Sequence, residues 1–591
     1  MDERIAVVGM SLRYPDAENP EEFWENILAG RRGFRELPDE RMDKRDYWSA
    51  DPAAPDRFYA RKAAVLRNFE FDRARFQVSG STYRSTDLTH WLALTVADEA
   101  WRDAGLGPEM GARTGVVIGN SLTGEFSRAN LMRLRWPYVR RVVGRALTGK
   151  GWSVTDVETF LGDLEPEYKA PFPAITEDTL AGGLANTIAG RVCNYFDFRG
   201  GGYTVDGACS SSLLSVISAA RSLVEGDIDV AIAGGVDLSI DPFEVIGFAK
   251  TGALATSTMK IYDRDSNGFW PGEGCGMVVL MRESDAIAAG RTVYAVLAGW
   301  GVSSDGRGGI TRPELEGHRA AIERAYARAG YPVSSVSYFE GHGTGTAVGD
   351  EVEVRAISAA LERDGRTAPV AIGSVKGNIG HTKAAAGVAG FIKACLALRH
   401  GVIPPATGHD VPHPALWDSP LTVPLQPSPF PDGGPARCGV SAMGFGGINT
   451  HVTLEAARGS SRHTTDLARS KAVVSGRQDA ELLVFTAHDT TALLEVLETT
   501  SHRVSRLSMA ELADLSAELV AAVDPGAAVR ASVVAADPDQ AVARLGDLGV
   551  GEGAVDVGRL RGRNLREAGR EDRSLPSPGS LAGEEEPEPP A

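Results

Sequence analysis

No apolar run in this chain approaches the length of a membrane span. The start, Met1-Asp2-Glu3-Arg4 followed at once by Ile5-Ala6-Val7-Val8-Gly9, lacks the basic n-region and cleavage site of a secretory signal. A cytoplasmic location with no membrane partner is therefore expected. Cysteine is scarce: Cys193, Cys209, Cys275, Cys395 and Cys438 are the five in 591 residues, and no two form a CxxC pair. That pattern gives neither a disulfide framework nor a zinc site. The one HxxxH spacing, His409 and His413, spans Pro412 and lacks the glutamate of a helical HExxH site, so no metal is implied. A GxGxxG turn is missing where a dinucleotide would need it, and no bound cofactor is expected. Positive charge is in deficit: 61 Lys and Arg against 78 Asp and Glu leave a net charge of −17. Nucleic acid is an unsuitable partner for such a surface.

What remains is the composition of a soluble α/β protein, 43% apolar and 24% charged, with length for two or more domains. Apolar runs at 5–10, 114–119, 230–235 and 276–280 read as buried strands, separated by helical periodicity. A second series begins near Tyr294, with strands at 295–299, 337–340 and 370–373 and a helix over 315–329. The similar element order predicts a duplicated α/β unit whose halves turn their loops toward a shared centre. Residues 40–90, rich in charge and aromatics, read as surface loops. Six arginines between Arg128 and Arg145 form a local positive segment, suited to an acidic partner, a solvated helix face or a subunit contact.

The chain is organised around Tyr203-Thr204-Val205-Asp206-Gly207-Ala208-Cys209-Ser210-Ser211-Ser212, a strand turning into a helix with a thiol at the junction. A thiolate near the first turn of a helix meets unpaired N–H groups and the positive end of the dipole. Small residues on both sides leave room for a carbonyl to reach the sulfur, as a covalent nucleophile requires. Three polar loops accompany it: Gly341-His342-Gly343-Thr344-Gly345-Thr346, Lys376-Gly377-Asn378-Ile379-Gly380-His381, and Gly444-Phe445-Gly446-Gly447-Ile448-Asn449. The first two lie between a strand and a helix, where α/β proteins hold ligands. One nucleophilic thiol and two histidines suit acyl transfer followed by decarboxylation, the histidines donating hydrogen bonds to the enolate oxyanion. A thiol hydrolase needs only one histidine base, which leaves the second His-bearing loop without a role.

The Cys209, His342 and His381 segments (206–211, 340–346 and 376–382) resemble the three active-site motifs of β-ketoacyl synthases, in the same order and spacing. The opening residues, with Arg13-Tyr14-Pro15 and Phe23-Trp24, resemble the ketosynthase domains of type I polyketide synthases, and the resemblance runs to about Glu455. It implies an α/β thiolase fold, duplicated halves in a five-layered αβαβα arrangement, and a homodimer. It also implies that Cys209 is the acyl-accepting nucleophile, while His342 and His381 promote decarboxylation and stabilise the thioester oxyanion. Lys376 would tune and hold the second histidine, Asp350 and Glu353 would give polar support, and the backbone N–H groups of Cys209 and Phe445 would form an oxyanion hole. Thr344 and Thr346 would hold the phosphopantetheine arm of an acyl carrier protein, which carries the malonyl and acyl thioesters. Cys209 sets the chain apart from chain-length factors, in which that cysteine is replaced.

Lys383 stands where modular synthases carry Gln or Glu, Glu340-Gly341 replaces their Glu-Ala, and Met443-Gly444-Phe445-Gly446-Gly447-Ile448-Asn449 replaces Phe-Gly-x-Ser-Gly-Thr-Asn. With Tyr83-Arg84-Ser85-Thr86-Asp87-Leu88, Leu134-Arg135-Trp136-Pro137-Tyr138 and Gly247-Phe248-Ala249-Lys250-Thr251-Gly252, these features resemble the iterative enediyne polyketide synthases. That resemblance implies repeated condensation toward a polyene in antibiotic biosynthesis. The alternatives are a ketosynthase relative that decarboxylates or transfers acyl groups without elongating, and a non-catalytic scaffold that docks carrier protein.

Beyond the ketosynthase-like domain at 1–455, residues 456–480 read as a linker. Residues 481–550 read as a small α/β unit that resembles the linker between ketosynthase and acyltransferase. A capping box at Ser508 and Glu511 opens one of its helices. No Gly-x-Ser-x-Gly elbow follows, so a separate acyltransferase partner is expected. The tail at 551–591, arginine-rich and then Glu/Pro-rich, is expected to be disordered.

Overall fold

Strand β1 (Ile5–Arg13) is buried over its first eight residues, because both of its faces are covered. The computed structural model describes residues 3–307, 309–458, 464–475 and 478–548, and the expected tail at 551–591 lies outside them. Among the described residues two compact units emerge: a larger one within residues 3–479 with 506–511, and a smaller one of residues 480–505 with 512–548. In the larger unit β1 is followed by β2 (Thr114–Gly119), β3 (Gly202–Val205), β4 (Val230–Asp237) and β5 (Gly274–Arg282). A second series comprises β6 (Ala295–Ser304), β7 (Tyr338–Glu340), β8 (Val370–Gly373), a short edge strand β9 (Leu421–Thr422), β10 (Arg437–Gly444) and β11 (Ile448–Glu455). Among the described residues these form one sheet in the order β9-β8-β7-β10-β11-β6-β1-β5-β4-β2-β3.

Duplication is written in that order. Outward from the central β1/β6 pair, one half runs β1-β5-β4-β2-β3 and the other β6-β11-β10-β7-β8. In each half the first two pairings are antiparallel and the last two parallel. Strands β3 and β8 are therefore equivalent, and each leads into a central helix.

The layers follow from which side chains pack together. Helix α1 (Leu88–Asp103) and helix α2 (Asn186–Phe196) cover one face of the first half through Trp91, Val96, Ile188 and Val192 against Ala6 and Val8. The opposite face, through Ile5 and Val7, shares a core with Leu213, Val216 and Ile217 of α3 (Ser211–Glu225). Helices α4 (Leu315–Ala329) and α5 (Ala347–Arg363) cover the second half through Ile322, Val354 and Ile357. The central α6 (Ala386–His400) adds Val388, Phe391 and Ile392 to the same core as α3 and is buried from Ala386 to Leu398. Each such large apolar side chain contributes about 1.5–3 kcal/mol by leaving water. Gly387 permits this closeness: a Cβ there would lie 2.8 Å from Leu213 Cβ. This is the thiolase fold, with layers αβαβα.

One expectation is corrected and two gain detail. Residues 40–90 are not simply surface loops: Phe58, Ala63, Ala64, Val65 and Phe76 are buried, and Lys62–Ala63 pairs with Arg35–Glu36. Within the expected linker at 456–480, residues Thr464–Ser475 are helical. The arginine segment is partly structural: Arg128 pairs with buried Asp241, Arg133 donates to the carbonyls of Lys169 and Phe172, and Arg140 pairs with Glu158.

The smaller unit pairs Glu481–Ala487 antiparallel with Val529–Ala535 and buries Leu483, Phe485 and Val533 with Leu493, Leu497 and Leu545 of its helices. Ser508 and Glu511 form the expected capping box: Ser508 N–H donates to Glu511 Oε2 at 2.6 Å, and Glu511 N–H to Ser508 Oγ at 3.1 Å. No helix among the described residues is long and apolar enough to cross a membrane.

Candidate active site

The turn between β3 and α3 is tight. Ala208 takes φ of 49°, a left-handed conformation that a residue with a Cβ adopts only when its surroundings hold it there. Several hydrogen bonds do so. Asp206 Oδ1 accepts from Ala208 N–H at 2.8 Å and from Ser121 Oγ at 2.7 Å, and Ser211 Oγ accepts from Gly207 N–H at 3.0 Å. Ser210 Oγ donates to Ala442 O at 3.0 Å, tying the elbow to β10. Cys209 follows within a 3-10 turn that runs into α3 and is 6% exposed. Burial pushes its thiol up to about 12, against the pull of the Lys376 ammonium. The thiolate expected at a helix start is thus not the resting form: desolvation outweighs the favourable charges around it.

His342 leaves β7 in a loop where Gly343 and Gly345 both take positive φ. The Glu353 carboxylate of α5 fastens this loop, accepting from His342 N–H at 2.7 Å, Gly343 N–H at 2.8 Å and Tyr262 O–H at 2.8 Å. Asp350, one turn earlier, accepts from Gly345 N–H at 3.0 Å and Tyr262 N–H at 2.7 Å. Burial raises the Asp350 carboxyl to about 7. Lys376 is expected to tune and hold the second histidine. Its charge does bear on His381, while its Nζ donates to the backbone oxygen of His342, at 2.5 Å. It reaches there because β7 and β8 are neighbours and the Lys376 turn follows closely on β8.

The two imidazoles are set alike. Met443 N–H donates to His342 Nδ1 at 3.3 Å, and Lys383 N–H donates to His381 Nδ1 at 3.3 Å. Burial, reinforced by Lys376, holds both rings well below the usual histidine range, so both are neutral. A neutral ring that accepts at Nδ1 carries its proton on Nε2. The rings stand 5.5 Å apart at 87°.

Cys209, His342, His381, Thr344, Thr346 and Phe445 line one cavity of about 550 Å³. The Thr344 and Thr346 hydroxyls lie 3.0 Å apart. Phe445 heads the β10/β11 turn, whose Gly446 and Gly447 both take positive φ. The turn sits against the nucleophile: a Cβ on Gly444 would lie 2.3 Å from Gly207 O and 3.3 Å from Cys209 N. The peptides of Cys209 and Phe445 are thereby neighbours. Lys376, Asp350 and Glu353 stand behind the cavity and hold its walls.

Sequence reasoning misses the aromatic wall. Phe269 meets the His381 ring edge-on at 4.9 Å, and Phe248 meets both Phe269 at 5.2 Å and Phe445 at 5.8 Å. The loop-rich stretch around Phe269 has no periodicity to flag it. Lys383 stands out in the sequence, but the burial and partners of its side chain are missed. It is buried, with Nζ 3.0 Å from Asp237 Oδ1 and 3.2 Å from Glu244 Oε2.

A thiolase fold with a cysteine elbow and two neutral histidines in one cavity defines a condensing enzyme of the acyltransferase class. Residues 2–286 match the model of the beta-ketoacyl synthase N-terminal domain and residues 294–410 that of its C-terminal domain, and the chain belongs to this family. It is 36% identical over 479 residues to one of the polyunsaturated fatty acid synthase subunits of Thraustochytrium, covering 77% of this chain and 16% of that protein. It is 37% identical over 468 residues to one of the phenolphthiocerol/phthiocerol polyketide synthase subunits of Mycobacterium tuberculosis, covering 77% and 23%. The chain thus spans less than a quarter of the length of these relatives. Among solved structures, the ketosynthase from module 6 of the Bacillus subtilis bacillaene synthase aligns with a TM-score of 0.65 at 28% identity, covering 92% of this chain and 85% of that one. An oxazolomycin ketosynthase domain of Streptomyces albus gives 0.67 at 28% identity, covering 94% and 89%.

Proposed function

We propose that the chain catalyses decarboxylative Claisen condensation of a malonyl thioester, held on an acyl carrier protein, with an acyl chain held on Cys209. The observation that carries this reading is the pair of neutral imidazoles, each accepting at Nδ1 and donating from Nε2, in the same cavity as the thiol. In the first half-reaction the Cys209 sulfur attacks the acyl thioester carbonyl. A new C–S bond forms, and the carrier thiol leaves with the proton the cysteine gives up. The tetrahedral oxyanion is held by the Cys209 and Phe445 N–H groups. In the second, the bond from the malonyl methylene to its carboxylate breaks and carbon dioxide departs. The electron pair becomes an enolate whose oxygen accepts hydrogen bonds from His342 and His381. The enolate carbon then attacks the Cys209 thioester, forming the carbon–carbon bond and expelling the sulfur. Two neutral donors suit this step because negative charge reaches the thioester oxygen only as the carboxylate departs, so they favour the transition state over the ground state. Thr344 and Thr346 receive the phosphopantetheine arm.

The finer reading is an iterative polyketide synthase of the enediyne type, building a polyene by repeated use of one site. Its support is the set of segments around Tyr83, Leu134, Gly247 and Lys383. Partners in this reading are an acyl carrier protein, a separate acyltransferase and a second copy of the chain. The test combines two variants. Cys209→Ala abolishes elongation while the protein stays folded; elongation by that variant would refute the nucleophile. His381→Ala slows decarboxylation by about 10²–10³ with loading of Cys209 kept; equal loss of both steps would refute its role. Polyene absorbance in the product separates the enediyne-type reading from a short-chain synthase.

A further inference from the structure

Lys383 starts the 3-10 turn ahead of α6 in a left-handed conformation, φ 48°, with its whole side chain buried. An L side chain takes such a conformation only when held. Its ammonium is held on three sides: it donates to Gly272 O at 2.8 Å and lies against Asp237 Oδ1 and Glu244 Oε2. Asp237 is itself fixed, accepting from Ser239 Oγ at 2.7 Å and from Ala384 N–H at 3.2 Å. Both ends of this clamp reach His381. Through the backbone, the Lys383 N–H points at His381 Nδ1 at 3.3 Å. Through the side chain, the ammonium anchors Gly272, whose own N–H donates to His381 O at 2.9 Å. Two carboxyl groups beside one buried ammonium, that of Glu244 raised by burial to about 8, form a charged cluster that the reaction scheme itself does not use. Fold stability gives no reason for it, because a buried ion cluster is seldom worth more than apolar packing.

We propose that Lys383 is a positioning residue, whose ammonium, clamped by Asp237, Glu244 and the Gly272 carbonyl, fixes the left-handed turn that orients His381 as an Nε2–H donor. The inference rests on the condensation reading of the site. It goes beyond that reading in making the hydrogen-bond geometry of His381 depend on a charge cluster outside the cavity. The Lys383 ammonium itself also disfavours the imidazolium of His381, after burial and the charge of Lys376.

The test uses the full chain with small thioesters, an acyl and a malonyl N-acetylcysteamine, so that carrier docking plays no part. Cys209 loading is read by intact mass, and condensation as kcat and KM for the malonyl thioester. Wild type loads and condenses in this assay; a wild type that does neither overturns the condensation reading itself, and this inference with it. Lys383→Met, which keeps the length and removes the charge, loads within about twofold of wild type but condenses at least about tenfold more slowly, the loss falling in kcat. Lys383→Gly, in which the left-handed turn carries no strain, shows the same selective loss. Asp237→Asn repeats it and serves if a Lys383 variant does not fold. Full condensation by Lys383→Gly, or parallel loss of loading and condensation in every folded variant, would overturn the proposal.

Discussion

At Cys209 two physical effects compete. A helix start favours the thiolate, and burial at 6% exposure favours the thiol, with the balance at about 12. Alkylation of Cys209 by iodoacetamide is therefore expected to quicken by about tenfold per pH unit from about pH 7 to pH 9, since only the thiolate reacts. A plateau by about pH 8 would show that the helix terminus prevails. Glu353 gives a second prediction. Its carboxylate accepts three hydrogen bonds that aim the His342 loop. Glu353→Gln turns an amide toward N–H donors and is expected to cost about 1–3 kcal/mol of stability, with condensation falling further than loading. Unchanged melting and turnover would remove Glu353 from the support of His342. Cys209, His342 and His381 are legible in the sequence because each stands in a glycine-flanked loop after a strand. The target of Lys376 is not, because five residues of separation from His381 say nothing of the strand-to-strand contact that puts Nζ on His342 O.

At the scale of elements, the β10/β11 turn is the piece of backbone packed against the nucleophile. Gly444→Ala would drive a Cβ to 2.3 Å from Gly207 O and displace the turn from the nucleophile, while nothing lies within 4 Å of a Cβ at Gly434. Gly444→Ala is accordingly expected to lose about a hundredfold in loading rate, and Gly434→Ala to behave as wild type. Equal activity of the two would mean that the turn does not form the oxyanion hole. The repeated strand order is readable from sequence because buried strands leave continuous apolar runs. Residues 40–90 are not readable in that way. Phe58 and Phe76 are buried by contacts distant in sequence, and short aperiodic segments carry no trace of which face will be covered.

At the scale of the molecule, duplication explains why His381 faces the thiol. The loops after β3 and β8 are equivalents, one carrying Cys209 and the other His381, and the central α3 and α6 bring them together. Among the described residues, strand β3 ends the sheet with one edge unpaired in the chain, which suits pairing with a second copy. Light scattering is expected to give twice the chain mass, and a monomer that retains full turnover would refute the dimer as the working form. The central claim is covalent, and intact-protein mass spectrometry tests it most directly. Incubation with an acyl thioester should add the acyl mass to the wild type and not to Cys209→Ala, and malonyl-loaded carrier protein should then discharge it as an extended β-ketoacyl product. Acylation that persists in Cys209→Ala, or a loaded cysteine that malonyl carrier never discharges, would contradict the account.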